Sequence, residues 1–427
     1  MATWPSKNRT VANPKRLRTA GKLACALTLL FILAGCNPIP ELPAQETRAE
    51  RLLREGAPEH LWIYQPDEPE YTAEGRPLFL TRALVVGTVY AGAPDGYIRA
   101  LHPASGDRIW RFQAAGNVHA SPAHFGAYVF FGSVDGSLYA LDAASGELHW
   151  QHETELPAIR VIAENGVVYF NTEGSIIYAL DPVNGEEIWR SGVDVEGLRI
   201  REVAESAIYA IAGDKLYALD PANGELRWLL SAESRFLGLK AAEDFVFFTT
   251  YGNDVVALNA VNGQELWRAP TGSLVTASPV VADNVVYLAS HDSHYYALAA
   301  ETGDELWRHN AKTSIFSSPL VADGVLYGGS IEGPLYALDA KTGEELWNYD
   351  SGFGAVGTPQ LVDNVVYFGT NWSHIFGVDS ESGAELWRYT TESGAMSFLT
   401  VDEGVIYAFF YGGDVNAFLP RIDRGNE

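Results

Sequence analysis

One phrase returns eight times in this chain and limits what it can fold into. Gly-x-x-x-Trp stands at Gly106/Trp110, Gly146/Trp150, Gly185/Trp189, Gly224/Trp228, Gly263/Trp267, Gly303/Trp307, Gly343/Trp347 and Gly383/Trp387. Successive tryptophans lie 39 or 40 residues apart. So regular a period means a repeat architecture, in which each copy is a unit that cannot bury its apolar face alone.

The unit at 310–349 reads as four short strands. They are Ser318-Pro319-Leu320-Val321, Gly324-Val325-Leu326-Tyr327-Gly328-Gly329, Pro334-Leu335-Tyr336-Ala337-Leu338 and Glu345-Leu346-Trp347-Asn348-Tyr349. Their β-branched and aromatic bias is that of strands, and Asp/Gly-rich turns separate them. Four antiparallel strands in about 40 residues, with no helical crossover, match one propeller blade. Asp339 is placed to start the third hairpin and Gly343 to supply its positive φ. Trp347, on the outer strand, is placed to wedge against the neighbouring blade.

The pattern Ala-Leu-Asp-x-x-(Thr/Asn/Ser)-Gly-x-x-x-Trp resembles the tryptophan-docking motif of the PQQ-like (pyrroloquinoline quinone enzyme-type) β-propeller repeats. The resemblance covers residues 61–420 and implies an all-β chain, a single propeller of eight to nine four-stranded blades. Eight units are complete. Leu61-Trp62-Ile63-Tyr64 looks like the end of a unit with nothing before it, and 396–419 like a unit that lacks its end. The N-terminal strand is therefore expected to complete the last blade and close the ring, giving nine blade-equivalents. Propellers usually have about four to eight blades, so eight is the base-rate expectation. Trp62, Trp110, Trp150, Trp189, Trp228, Trp267, Trp307, Trp347 and Trp387 are the expected docking residues.

The N-terminus reads differently. Six basic residues and no acidic one precede an apolar run of 13 residues, 23–35, which ends Leu33-Ala34-Gly35-Cys36. The run is too short for a comfortable membrane span and suits a signal-peptide core. Its end resembles a bacterial lipobox. Residues 1–35 are then a lipoprotein signal, Cys36 the lipidated residue, 36–60 a tether, 61–420 the propeller and 421–427 a tail. Removing the leader would take the formal charge from −25 to −31. An acidic protein of this kind repels nucleic acid, so no nucleic-acid partner is expected. The only cysteines, Cys25 and Cys36, both precede the repeats, so the ring carries no thiol or disulfide.

Quinoprotein dehydrogenases share this repeat, and that resemblance would imply bound PQQ with Ca²⁺, carboxylate and amide ligands and often a vicinal Cys pair. The pair is absent here, and Asp142, Asp181, Asp220, Asp339 and Asp379 occupy one repeated turn position, which suits turn-building better than catalysis. No enzyme activity, cofactor or metal is expected. His291 and His294 sit at one predicted hairpin tip and His374 at a similar one, too few to make a metal site. No phosphate cradle or nucleophile elbow is present.

Differences between units say more about function. Inner strands begin Ser121-Pro122, Ser278-Pro279, Ser318-Pro319 and Thr358-Pro359, but two adjacent units have Ile159-Arg160 and Ile200-Arg201 there. Arg199, Arg235 and Lys240 lie close by in the sequence. On a strongly acidic ring this basic arc could receive an acidic group of a partner. The competing reading is local ion pairs with Glu202 and Glu205.

A lipobox, a short tether and a propeller without inserts are together similar to the BamB family of the outer-membrane β-barrel assembly machinery. Gly197-Leu198-Arg199-Ile200-Arg201 loosely resembles that family's partner-binding loop, although the family looks eight-bladed. The resemblance implies a non-enzymatic scaffold, a monomeric subunit of a hetero-complex held in the membrane through Cys36. Its partners would be envelope proteins, among them an outer-membrane β-barrel assembly subunit. It would sit on the periplasmic face of the outer membrane in a diderm host, or outside the cytoplasmic membrane otherwise. The contrasting classes are a quinoprotein dehydrogenase or redox sensor, and a glycan- or peptide-binding module using an exposed aromatic such as Trp372.

Overall fold

The structure is a computed structural model that describes residues 59–64, 84–93, 95–118, 121–193, 195–354, 356–370, 374–391, 396–402, 405–410 and 415–419. Cys36, the leader, most of the tether, Trp372, the side chain of Trp62 and the tail 421–427 lie outside these residues. The described residues hold thirty-six strands, from β1 (Glu59–Tyr64) to β36 (Val415–Leu419), and no helix. They form nine four-stranded antiparallel sheets. The chain is thus an all-β propeller of nine blades, as the unit count indicates and one more than the usual range.

Eight blades are simple meanders. The ninth is composite, in the order β1–β36–β35–β34, with β34 (Met396–Asp402) innermost and β35 (Val405–Phe410) next. The N-terminal strand therefore supplies the last blade's outer edge. One apolar cluster fills each of the nine blade junctions. The cluster that joins the last blade to the first contains Val89, Leu101, Val405, Tyr407, Val415 and Ala417, with Leu61 packed against it. Across the same junction the Gly87 amide donates to Asp402 Oδ2 at 2.8 Å.

The tryptophans build seven of these junctions in one way. A Cβ added to Gly146 would lie 2.4 Å from the ring of Trp110, and one on Gly343 would lie 2.5 Å from the ring of Trp307. Each indole thus sits on the turn glycine of the following blade, where only a glycine leaves room for it. The same holds at Gly185, Gly224, Gly263, Gly303 and Gly383. The indole N–H donates to the carbonyl three residues before that glycine, as from Trp110 to Ala143 (3.0 Å), Trp189 to Pro221 (2.9 Å) and Trp307 to Ala340 (2.9 Å). Such a ring buries about 150–250 Å², or roughly 4–6 kcal/mol at about 25 cal/mol/Å² before the cost of chain ordering.

The turn is shaped to receive the ring. Asp339 Oδ1 accepts from the amides of Lys341 and Thr342 and from Thr342 Oγ1. Gly343 has φ 73°. Asn259 does the same work in the fifth blade, accepting from Val261 and Asn262. A β-bulge follows in every outer strand. In the seventh blade Ala337 faces Trp347 but Leu338 faces Glu345, so Leu346 is the extra residue. The bulge increases the local twist and aims the tryptophan at the next blade.

Several strand boundaries differ from the expected ones by one or two residues. The expected strand at Ser318 begins instead at Leu320, in β26 (Leu320–Ala322), because Pro319 has no N–H for the ladder. Ser318 Oγ donates instead to Ser278 O in the neighbouring blade, 3.0 Å away. The first strand begins at Glu59 rather than at Leu61.

These contacts carry two predictions. Gly343→Ala must fit a methyl against Trp307 and adopt a positive φ, so it should cost about 2–4 kcal/mol. Gly324→Ala has a similar φ of 76° but open space around it, and should cost only about 1 kcal/mol. Equal shifts in denaturation midpoint for the two variants would refute the docking geometry. The second prediction concerns acid. Hydrogen bonds from the turn hold the carboxyls of Asp142 (from the Ser145 amide first), Asp220 (from Ala222), Asp339 (from Thr342) and Asp379 (from the Ser382 hydroxyl) below the usual carboxylate range. Their contribution is present above the unfolded carboxylate pKa of about 4 and is lost as pH falls through the lower folded values. Changing all four to Asn keeps the acceptor that Asn259 uses. The variant should therefore lose less stability than the parent between pH 5 and pH 3 in denaturant titrations.

Candidate functional site

A blade that runs as a four-strand meander turns at two rims. At one rim lie the Asp/Gly turns that seat the tryptophans. At the other lie the tips between second and third strands, together with the connections from one blade to the next. Innermost strands pack side by side around the central channel. Four of the five cations of the basic arc lie on three of them, β10 (Ala158–Glu164), β14 (Arg199–Val203) and β18 (Phe236–Ala242), and Arg235 immediately precedes β18. These strands are longer than the three-residue inner strands β22 (Val280–Ala282) and β26, which Ser-Pro precedes. β30 (Val356–Val362), which holds Thr358-Pro359, is as long as β10 and β18, with its ladder interrupted between Val356 and Gln360.

The loop entering β14 is held from the third blade. Ser175 Oγ accepts from the amides of Gly197 (2.6 Å) and Leu198 (3.1 Å). Buried Asn171 donates from Nδ2 to Leu198 O at 3.4 Å. Gly197 has φ 81°, which lets the chain turn sharply into the strand.

The five cations of the arc have different surroundings. Arg199 Nη1 donates to Thr172 O (3.4 Å) and Arg160 Nη2 to Arg201 O (3.3 Å), so both reach across the junction of the third and fourth blades. Lys240 Nζ pairs with Glu202 Oε1 at 2.6 Å, and Glu202 Oε2 also accepts from the Ala241 amide. This ties the fourth blade to the fifth, as the ion-pair reading has it. Glu205 forms no ion pair among the described residues. Arg201 and Arg235 are exposed and likewise form none among the described residues. Arg235 O accepts from the amide of Tyr251 (3.0 Å), whose side chain is 55% exposed. Sequence reasoning missed Tyr251, Ser175 and Asn171. Tyr251 occupies the tip position that Val134, Glu173, His291 and Ile331 hold in other blades, so no repeated residue type marks it in the sequence.

The histidines do not converge. His291 Nε2 lies 2.8 Å from Thr276 Oγ1, and its ring packs on Phe316. His294 Nδ1 contacts Asp292 O at 3.0 Å. His374 Nδ1 lies 3.0 Å from Thr390 Oγ1, in another blade. Among the described residues no group of three or more His, Cys, Asp or Glu could hold a metal ion. The arc can therefore offer exposed guanidinium groups beside an exposed phenol ring, an arrangement suited to binding.

The Lys240–Glu202 pair is partly exposed, with 43% and 19% of the side chains accessible. A double-mutant cycle with Lys240→Met and Glu202→Gln should give a coupling of no more than about 1 kcal/mol. A coupling several times larger would mean that the pair is shielded from solvent.

Comparison with known proteins places these features in a family. A family profile described as "Outer membrane protein assembly factor BamB" matches residues 94–237, 234–317 and 296–422. Among solved structures the chain is similar to BamB from Moraxella catarrhalis, with 17% identity, a TM-score of 0.53, and 85% of this chain and 100% of that one covered. It is also similar to the computationally designed Ika8 protein, with 15% identity, a TM-score of 0.55, and coverage of 80% and 96%. At these identities the structural likeness concerns the fold alone. No curated protein matches the chain. The profile spans most of the ring, and the chain belongs to the outer membrane protein assembly factor BamB family.

Proposed function

We propose that this propeller is a non-enzymatic scaffold at the cell envelope that binds a partner protein and assists assembly of outer-membrane proteins. Export and lipidation at Cys36 would anchor it, on the periplasmic face of the outer membrane in a diderm host. Family membership supports the general role. The observation that carries the partner site is the exposure of Arg201 and Arg235 in a chain of formal charge −25. Arg108, Arg111, Lys312 and Lys341 are exposed as well, but the arc sets its two exposed cations at neighbouring inner strands, where an acidic group of a partner would be received. Arg160, Arg199 and Lys240 would then act chiefly by fixing the inner strands that present them.

The test is capture from solubilised envelopes with the lipidated protein as bait. Arg201→Glu with Arg235→Glu should cut recovery of the partner at least about tenfold and flatten its salt dependence, as loss of complementary charges does. Lys240→Met should leave recovery nearly unchanged. Equal recovery by the charge-reversed bait would sink the assignment of the arc.

A further inference from the structure

We propose that the ninth blade is a strand-acceptor site. In this proposal β1 can leave the edge of β36, and an extended segment of another polypeptide with an aliphatic residue beside a tryptophan can replace it. The inference stands apart from the partner arc, since it rests on the ninth blade and the arc on the third to fifth.

Three observations lead to it. First, outer strands in the second to eighth blades are held twice. Each continues covalently from its neighbour through the Asp/Gly turn, and that turn lies under the preceding blade's tryptophan. Among the described residues β1 has neither restraint. Its ladder partner β36 ends at Leu419 and β1 begins at Glu59, so no hairpin turn joins them.

Second, the preceding tryptophan is packed differently. Trp387 is 2% exposed, and its ring lies over Gly377 of its own blade, where an added Cβ would fall 2.5 Å from Cε2. The corresponding residue in the blade before is Ala337. Among the described residues no turn seats this ring, Gly377 gives it room, and the outer edge of the ninth blade shows no such clamp.

Third, the composite pair keeps the register of the covalent hairpins. Ala417 faces Trp62 as Ala337 faces Trp347, and Leu61 is the bulged residue as Leu346 is. Register is thus specified by the two strands themselves. Five paired positions and the packing of Leu61 against the first–ninth junction define what an incoming strand must match. Backbone hydrogen bonds supply affinity and the alternating side chains supply selection, as in other strand-addition sites.

The experiment uses the full chain and a labelled peptide of residues 57–66, with a scrambled peptide as control. The amides of β1 should exchange hydrogen at least about tenfold faster than those of β25 (Glu305–Asn310), a clamped outer strand. The labelled peptide should enter the ring. An oxidised Ile63→Cys, Asn416→Cys variant, in which directly opposed residues are cross-linked, should refuse it. No cysteine follows Cys36, so the engineered pair has no competitor within the ring. Equal protection of β1 and β25, or equal uptake by locked and unlocked protein, would overturn the proposal. A chain beginning at Gln65 gives a second arm. The peptide should raise its denaturation midpoint or restore its folding, and the absence of both effects also overturns the proposal.

Discussion

The indole ring resting on the next blade's turn glycine is the contact on which the ring depends. It joins two levels of structure at one point. The turn must be correct before the tryptophan has a seat, and the seat must be filled before the outer strand is held. An altered Asp or Gly therefore loosens its own hairpin and unseats a side chain on the blade before. Each blade touches only its two neighbours, so such damage enters as a nearest-neighbour term. Closure by β1 makes the last term a link back to the first.

Repetition made most of this fold legible in the sequence. Period, strand content, the roles of Asp339, Gly343 and Trp347, and the spare N-terminal strand all follow from lining up the units. Nine blades follow from counting, even against the usual range. What stayed hidden was three-dimensional. The bulge before each tryptophan leaves no sequence mark, because Leu346 reads as an ordinary strand residue. The seating of Trp387 over Gly377 of its own blade follows from which strand each ring meets, which one unit read alone does not reveal. Among the cations, the sequence placed five in one region. Only the folded arrangement separates Arg199, donating to a carbonyl, and Lys240, paired with Glu202, from exposed Arg201 and Arg235.

The site and the scaffold follow opposite rules. Scaffold residues are those on which the units agree, and their hydrogen bonds are spent on turns and junctions. The arc appears where agreement ends. In two of its three units an arginine, Arg160 or Arg201, stands where other inner strands carry the proline of a Ser-Pro or Thr-Pro pair. Ser175 and Asn171 then brace the entering loop from the neighbouring blade. A surface that must keep one shape for a partner gains from such bracing, because less freedom is left to lose on binding.

The bulges have a consequence for the outside of the ring. A propeller shows one open sheet edge per blade, and a long flat edge invites pairing with any exposed strand. Each of these edges is kinked at its start, in the composite blade as well as in the other eight. A neighbouring chain that tried to continue the ladder would meet a broken register on every side. The same distortion that aims the tryptophans inward keeps the perimeter from zipping onto other β-structure, so the ring can remain separate among strand-rich neighbours.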